Sequence, residues 1–362
     1  MSIRSDTLVP RMMVFSSIQA LTDAAVLSEI LGHEVRDVRV EPLRGIGYSN
    51  SALSRVEADF LDDSHRTFVL KHARLAEDWT ARRTGDCRGR EALLLNQSSL
   101  VGVWDVFVSP YVAAAVASGE AALLMRDLTA ALLPDERAPL SEQQESRLLG
   151  TLARLHARFW GHDDRSIDWL VRPAQFCDLL GPSVADDPAE VATLSPTLRD
   201  GVPRGWGCAL ARLPPEIARH LRCPGAEWER SWADVPRTLI HGDVKVANFA
   251  LEEEGVSAFD WAMVGSGPCA IDVGWYLAVN ASRLTRSKDD TLRRYRDLLQ
   301  TALGDRVPDS LWDRLEEIAV VSGARMLLWS KALALDAGRA GASEEWGWWV
   351  NRLAAVRSGS PR

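Results

Sequence analysis

Four polar side chains interrupt an otherwise apolar run in the stretch LIHGDVKVANFAL, residues 239 to 251. They are His241, Asp243, Lys245 and Asn248. Polar groups removed from water cost free energy unless they are paired, so these residues need either structural partners or a chemical role. A further acid, Asp260, follows twelve residues after the asparagine in VSAFDWAM.

The pattern H-x-D-x-x-x-x-N with a later aspartate suits phosphoryl transfer. That chemistry needs oxygen ligands for magnesium and a carboxylate that receives or orients the proton of the acceptor hydroxyl. Asp243 has the residue type for the carboxylate, and Asn248 and Asp260 have the types for the metal. The alternative is a loop with an Asx-turn at Asp243 and a capping asparagine.

A second group of residues lies nearer the N-terminus. Lys71 ends the apolar run TFVLK, and Glu91 lies twenty residues later on the next predicted helix. In nucleotide kinases, a strand lysine paired with a helix carboxylate holds the phosphates of the donor. Taken singly, the two residues could also be a solvated strand-end charge and a helix N-terminal acid favoured by the dipole.

Two glycines upstream, Gly45 and Gly47 in LRGIGYSNSALSRV, lie between predicted strands. Their backbone amides could cover phosphates, and a plain hairpin turn is the alternative.

The secondary structure predicted to position these residues changes along the chain, from mostly strands to mostly helices. Helical spacing of apolar residues predicts a helix over residues 17–31, ended by Gly32. From Val35 the pattern predicts two strands around a turn, then RTFVLK as a third strand and YVAAAVASGEAALLMRDL as a hairpin turning at Ser118, Gly119 and Glu120. A helix is predicted over residues 88–99 between them.

After Asp127 the chain is predicted to be mostly helical. Ser141 and Gln144 form a potential capping box for a helix that carries His156 on its apolar face, which favours a hydrogen-bonded core histidine over a base. Residues 161 to 236 resemble an insertion with short helices, and strands return at 238 to 260. The remaining predicted helices are 269–282, 288–304, 308–337 and 343–357.

The predicted fold class is therefore α+β. We expect a small antiparallel-sheet lobe over residues 1–127 and a larger, mainly helical lobe over residues 128–362, with a ligand cleft between them. Within the larger lobe, a strand ending at His241 and a strand ending at Phe259 are predicted to pair and bring both polar loops to one edge.

The composition argues against several classes of protein. The 362 residues are 46% hydrophobic and 25% charged, with a net charge of -8, which argues against nucleic acid as a partner. Five cysteines without C-x-x-C spacing indicate neither a zinc site nor a disulfide framework. The N-terminus lacks the order of a signal peptide, and no apolar run is expected to approach the roughly eighteen residues of a membrane helix. We expect a cytoplasmic protein with no membrane partner.

Several pieces, taken in order, resemble the aminoglycoside phosphotransferase family. They are GIGYSN, VLK, GREALLL, LLMRDL, LARLHARFW, LIHGDVKVANFAL and FDWAMVGSGPCAIDVGWYL. The family is similar in fold to protein kinases and includes choline kinase-like and ecdysteroid kinase-like enzymes. The resemblance implies a bilobal protein-kinase-like fold. It also implies transfer of the γ-phosphate of ATP, with Mg²⁺, to a hydroxyl of an aminoglycoside-like molecule, amino alcohol, sugar or lipophilic alcohol.

The resemblance also implies residue roles. Asp243 would be the catalytic base or hydroxyl-orienting acid, and Lys245 would lie near the transferred phosphate. Asn248 and Asp260 would bind Mg²⁺. Asp272 would brace the loop containing His241. The implied nucleotide-binding residues are Gly45, Gly47, Ser49, Asn50, Lys71, Glu91, Met125 and Asp127, the last two in a hinge segment whose backbone meets adenine.

The sequence departs from the protein-kinase pattern at informative places. Asn50 replaces the third glycine of G-x-G-x-x-G. Gly242 lies directly before Asp243, where the H-R-D motif of protein kinases has an arginine. Too little chain separates Asp260 from Asp272 for an activation loop. Protein substrates are therefore disfavoured. A protein kinase and a nucleotide-binding pseudoenzyme acting as a binding module stay as alternatives.

The acceptor is predicted to lie on the larger lobe, in a pocket built by residues 161 to 236 and the C-terminal helices, where it could contact acids or tryptophans. The acids are Asp163, Asp164, Asp186, Asp187, Glu190, Glu344 and Glu345. The tryptophans are Trp169, Trp206, Trp228, Trp232, Trp346, Trp348 and Trp349. Acids suit a polyamine, and tryptophan faces suit a quaternary ammonium group or a flat lipophilic alcohol. The alternative is that the acids form a solvated face and the tryptophans fill a core.

Overall fold

The structure, a computed structural model, describes residues 13–43, 51–133, 138–162 and 166–356. Six residues named above lie outside this part of the chain: Gly45, Gly47, Ser49, Asn50, Asp163 and Asp164.

Contacts within the chain divide it into two compact units. The first comprises Met1–Arg82, Asp86–Asp105 and Ser109–Ala130. The second comprises Arg83–Gly85, Val106–Val108 and Ala131–Arg362.

A six-stranded sheet forms the body of the first unit. Its strands are β1 (Val14–Phe15), β2 (Val35–Leu43), β3 (Ala52–Phe60), β4 (His65–Arg74), β5 (Tyr111–Ala117) and β6 (Glu120–Arg126). The order is β1-β5-β6-β4-β3-β2, and every neighbouring pair except the parallel β1 and β5 is antiparallel. The helices in this part of the chain are α1 (Ala24–Leu31), α2 (Trp79–Thr84) and α3 (Arg90–Asn96).

Alternation along the strands explains the core of this sheet. Val56, Ala58 and Phe60 on β3 are buried on one face and pack in a cluster that includes Leu27 of α1. The predicted hairpin of β5 and β6 is confirmed, and Gly119 at its turn has a φ of +81, a conformation that glycine adopts without strain.

The second unit is mainly helical. Its helices are α4 (Glu142–Arg158), α5 (Pro173–Asp178), α6 (Pro182–Ala185), α7 (Pro188–Thr193), α8 (Pro196–Arg212), α9 (Pro215–Leu221), α10 (Gly225–Arg230), α11 (Ala270–Val279), α12 (Lys288–Leu303), α13 (Asp309–Asp336) and α14 (Ala342–Ala355). Its strands are β7 (Thr238–Ile240), β8 (Phe249–Leu251), β9 (Val256–Ala258) and β10 (Gly265–Gly267). The predicted α+β class, with an N-terminal antiparallel sheet and a mainly helical C-terminal part, is confirmed.

Two local predictions for this unit have different outcomes. The capping box at the start of α4 is confirmed, because Ser141 Oγ accepts from Gln144 N and the Gln144 side chain accepts from Ser141 N. The insertion is less irregular than predicted, since α8 runs for 17 residues among shorter helices.

The predicted strand pairing is wrong. The strand before His241, β7, pairs antiparallel with β10, whereas β9 pairs with β8. Only residues 252–255 separate β8 from β9, and closing so short a loop costs little chain entropy.

Helices α11 and α13 approach each other closely through glycines. A Cβ atom on Gly274 would lie 2.1 Å from Ala319 O, and one on Gly323 would lie 2.5 Å from Gly274 O. Any larger side chain at either position would push the helices apart. Lys331 Nζ on α13 also donates to Ala278 O at 2.7 Å, so α11 has a fixed position on α13.

Helix α13 is long and apolar enough to cross a membrane, judged by length and composition alone. The expectation that no segment would approach this was therefore wrong. Of its most apolar 18-residue window, 67% is buried inside the protein, as in the core helix of a folded domain.

Candidate active site

The loop that follows β7 depends on a glycine. Gly242 has a φ of +83, and a Cβ atom there would lie 2.2 Å from Met263 O. Both the backbone conformation and the space exclude a side chain. The chain can therefore turn sharply between His241 and Asp243.

Asp272 on α11 fixes the backbone of this turn. Its Oδ2 accepts from His241 N and its Oδ1 accepts from Gly242 N, both at 2.8 Å. The Asp272 side chain is fully buried, and its Oδ2 also lies 3.1 Å from His156 Nε2. His156 is fully buried and contacts Tyr295 Oη through Nδ1, so the prediction of a hydrogen-bonded core histidine is confirmed.

His241 joins the turn to the segment that ends in Asp260. Its Nδ1 accepts from Asp243 N at 3.2 Å, which places the ring proton on Nε2. Nε2 then donates to Phe259 O at 3.2 Å. The ring centre lies 4.3 Å from that of Trp261, which is fully buried. His241 is thus part of the packing beneath the loop.

The carboxylate of Asp243 is held by two N–H donors. Trp275 Nε1 donates to Oδ1 at 2.6 Å, and Asn248 Nδ2 donates to Oδ2 at 3.0 Å and to Asp243 O at 3.0 Å. Burial and the negative charge of Asp260 raise the pKa of Asp243 to about 6. The two hydrogen bonds and the positive charge of Lys245 act in the opposite direction.

Asn280, at the end of α11, holds the next part of the loop. Its Oδ1 accepts from Val246 N at 2.9 Å, and its Nδ2 donates to Val244 O at 2.8 Å and to Tyr276 O at 3.1 Å. The backbone on both sides of Lys245 is therefore attached to the same helix that carries Asp272.

Asp260 has an uncommon backbone conformation, with φ of 62 and ψ of 51. Among the described residues, the other non-glycine positions with positive φ are Asp63 and Ser118, both in hairpin connections. Such conformations outside turns often occur at functional sites. The negative charge of Asp260 acts to raise the pKa of Asp243.

The side chains of Asn248 and Asp260 carry oxygen donors, the type of ligand that Mg²⁺ prefers. In the described ranges, no group of three or more His, Cys, Asp or Glu residues could hold a metal ion by itself. Asn248 and Asp260 would offer two side-chain oxygens, and Mg²⁺ commonly binds one or two protein oxygens and takes its other ligands from phosphates and water.

In the first unit, Lys71 and Glu91 form an ion pair. Lys71 Nζ donates to Glu91 Oε2 at 2.7 Å, and the side chains are 12% and 8% exposed. Tyr111 Oη donates to Glu91 Oε1 at 2.7 Å, which fixes the second oxygen of the carboxylate. The lysine is thus held in one orientation, as a partner for phosphate would need to be.

The predicted hinge residues have structural contacts. Met125 lies in β6 opposite Val69 and Tyr111. Asp127 Oδ1 accepts from Thr129 N at 2.9 Å and Thr129 Oγ1 at 2.5 Å. Their nucleotide contacts stay predictions.

In the second unit, hydrogen bonds connect Asp272 with His241, and Asp243 with His241 and Asn248, whereas Lys245 and Asp260 act on Asp243 through their charges. Within the first unit, Lys71 pairs with Glu91. Sequence reasoning missed Trp275, Asn280 and Tyr111. Asn280 had a usable signal, because it is a polar residue at the end of the apolar stretch AIDVGWYLAV and would need partners there.

Many residues predicted to contact the acceptor have structural partners. Glu190 pairs with Arg83, Asp186 with Arg222, and Glu345 with both Lys288 and Lys331. Four of the tryptophans are at most 5% exposed: Trp206, Trp228, Trp232 and Trp349. For these four tryptophans the alternative of a place in the core is confirmed. Asp186 and Glu190 are about half exposed, as on a solvated face, whereas Glu345 is only 18% exposed and does not fit that alternative.

Comparison with known proteins gives a family match over most of the chain. The family model "APH: Phosphotransferase enzyme family" matches residues 47–318. Among curated proteins, no sequence matches the chain significantly.

Solved structures with similarity to the chain include three small-molecule kinases or phosphotransferases. The choline kinase LicA from Streptococcus pneumoniae is 13% identical, with a TM-score of 0.44 and coverage of 91% of this chain and 96% of that chain. The GDP complex of wild-type aminoglycoside 2'-phosphotransferase-IIIa is 14% identical, with a TM-score of 0.44 and coverage of 91% and 96%. The amicoumacin kinase hAmiN, in complex with AMP-PNP, Ca²⁺ and Ami, is 12% identical, with a TM-score of 0.43 and coverage of 94% and 96%.

Proposed function

Because this chain belongs to the phosphotransferase enzyme family, we propose that it transfers the γ-phosphate of ATP to a hydroxyl group of a small molecule. The family match confirms the resemblance seen in the sequence motifs. The proposal further specifies ATP as the donor nucleotide, Mg²⁺ as the metal and a small molecule with a hydroxyl group as the acceptor.

The observation that carries the proposal is the environment of Asp243. Its carboxylate is oriented by Trp275 and Asn248, lies beside the charges of Asp260 and Lys245, and follows a turn fixed by Asp272. A carboxylate that needed only structural partners would not require a second acid nearby that raises its pKa.

In the proposed reaction, Asp243 accepts the proton of the acceptor hydroxyl as the acceptor oxygen forms a bond to the γ-phosphorus. The bond between that phosphorus and the bridging oxygen breaks, and ADP leaves with the electron pair. Lys245 lies in the same loop, two residues after Asp243, where its charge can offset the negative charge of the moving phosphoryl group.

The residues available for the metal and the nucleotide support the same reaction. Asn248 and Asp260 would hold Mg²⁺, which supplies neutralisation of charge on the β- and γ-phosphates when bound. The ordered ammonium of Lys71, held by Glu91, would contact the α- and β-phosphates of the donor.

The experiment that tests the proposal is a search for phosphorylated products. The full chain is incubated with a metabolite and antibiotic panel, ATP and MgCl₂, and products about 80 daltons heavier are sought by mass spectrometry. We expect at least one such product, together with an equal amount of ADP.

Two variants separate the proposed chemistry from contamination. Asp243→Asn should lower the rate by about 10²–10⁴-fold, as expected for loss of a general base. Asp186→Asn is the matched control, because Asp186 forms a surface ion pair with Arg222 in the same unit, and it should retain the wild-type rate. Equal activity of both variants, or no product with wild-type protein, would exclude the proposed function.

A further inference from the structure

Helix α11 contacts the loop around Asp243 through three side chains. Asp272 accepts from the backbone of the turn, Asn280 binds the backbone on either side of Lys245, and Trp275 donates to the Asp243 side chain. Of the three, Trp275 alone contacts the carboxylate itself.

The Trp275 indole has little freedom. The residue is 9% exposed, and its ring meets Phe176 of α5 edge to face, with centroids 6.3 Å apart and an angle of 84° between the planes. The preceding residue, Gly274, lies against Ala319 of α13 with no space for a Cβ atom. Neither the ring nor its helix can move far without displacing neighbouring structure.

The chemistry of the contact is also specific. A carboxylate offers about four lone-pair positions on its two oxygens, and an indole N–H is a donor with no acceptor capacity. Trp275 occupies one position on Oδ1 at 2.6 Å, and Asn248 occupies one on Oδ2 at 3.0 Å. With one donor on each oxygen, rotation of the carboxylate about its Cβ–Cγ bond would break both hydrogen bonds.

We propose that Trp275 is a positioning residue that fixes the plane of the Asp243 carboxylate, so that a remaining lone pair is directed at the acceptor hydroxyl. The contact follows from the structure, and its consequence for the rate rests on the proposed function. Trp275 itself touches no reacting atom. Its effect should appear in turnover and not in affinity for the nucleotide.

The kinetic test uses Trp275→Phe, which keeps an aromatic ring against Phe176 and removes the N–H donor. The reaction is followed as ADP formation from MgATP in the metabolite panel, with wild-type protein as reference. We expect kcat to fall by about 10–100-fold, in line with the cost of a misplaced catalytic group, while KM for ATP stays within about twofold.

Trp329→Phe is the matched control. Trp329 is 8% exposed, close to the 9% of Trp275, and its Nε1 donates to Met326 O of the same helix, α13, at 3.0 Å. The control should keep the wild-type kcat. An equal loss in both variants, a change confined to KM, or an unchanged kcat in Trp275→Phe would overturn the proposal.

A second measurement is independent of activity. Protein labelled with ¹⁵N at the indole nitrogens of its 14 tryptophans gives one N–H resonance for each. Trp275→Phe assigns the Trp275 resonance by its loss, and unchanged positions of the other resonances show that the variant is folded. Asp243→Asn should shift the Trp275 resonance, because it changes the acceptor of this hydrogen bond.

The outcomes separate the two proposals. If Asp243→Asn leaves the Trp275 resonance in place, the contact is absent and the positioning role is wrong, whatever the activity. If wild-type protein transfers phosphate and Trp275→Phe matches it, the positioning role alone is wrong. If wild-type protein forms no product although the resonance shifts, the proposed function fails, and the catalytic consequence assigned to Trp275 fails with it.

Discussion

Replacement of Asn280 by alanine tests whether the loop around Asp243 depends on α11. The Asn280 side chain is 2% exposed and makes three hydrogen bonds, two of them to the loop backbone at Val246 N and Val244 O. Alanine at position 280 leaves these two backbone groups without the side-chain partner. The third group that the Asn280 side chain contacts, Tyr276 O, also accepts from the backbone N–H of residue 280 at 3.1 Å, and alanine keeps this bond.

The expected magnitude follows from the two orphaned groups. A buried backbone donor or acceptor without a partner costs about 1–3 kcal/mol, so the pair should lower the free energy of unfolding by about 2–6 kcal/mol. The loop carries Asp243 and Lys245, so phosphoryl transfer should also slow. Asn351→Ala is the control, because Asn351 is exposed on α14, and its effect should stay within about 0.5 kcal/mol.

Urea unfolding followed by tryptophan fluorescence is a suitable assay, since most of the tryptophans lie in the second unit. We expect a clear fall in the unfolding midpoint for Asn280→Ala and none for Asn351→Ala. If the two variants unfold at the same urea concentration and both retain the wild-type kcat, then α11 does not hold the loop through Asn280, and the attribution of loop rigidity to this helix is refuted.

Three further substitutions test other parts of the structure. Gly242→Ala should lower phosphoryl transfer about 10²-fold, since its Cβ would lie 2.2 Å from a carbonyl oxygen, whereas Gly207→Ala, with nothing within 4 Å, should keep the wild-type rate in the same ADP assay. Lys71→Met removes the ammonium that pairs with the largely buried Glu91 and should destabilise the protein by about 3–5 kcal/mol in urea unfolding, with a raised KM for ATP; an unchanged midpoint would contradict the pairing. Gly323→Ala places a Cβ 2.5 Å from Gly274 O and should cost about 1–3 kcal/mol or more by overpacking, measured by the same unfolding assay; wild-type stability would show that α11 and α13 can separate freely.

The parts of the fold that the sequence predicts are those with a repeating pattern. Alternation on β3 and helical spacing on α12 and α13 appear directly in the order of apolar residues, and so does the turn at Gly119. The pairing of β7 could not be predicted in this way. Its partner β10 is Gly-Ser-Gly, which has no β-branched or aromatic residue and so gives no strand signal.

The residues of the site also differ in whether the sequence reveals them. Asp243, Asn248 and Asp260 stand out because polar residues interrupt apolar runs, whereas Trp275 fits its apolar helix and gives no sign of a polar contact. Its role depends on a hydrogen bond to a residue 32 positions earlier, which only the folded chain reveals. Tyr111 is similar, because it reads as a strand residue until its hydroxyl is seen to contact Glu91.

The polar residues of the stretch LIHGDVKVANFAL can now be compared by their partners. His241 binds Phe259 O, Asp243 accepts from Trp275, and Asn248 donates to Asp243. Lys245 differs, because among the described residues its ammonium group makes no hydrogen bond, although the residue is partly buried and its charge acts on Asp243. Hydrogen bonds therefore involve three of the four polar side chains, and the lysine is the one without such a contact. A phosphoryl group transferred beside Asp243 would give this ammonium an anion to bind, so the residue with the fewest structural contacts is the one that the proposed reaction explains best.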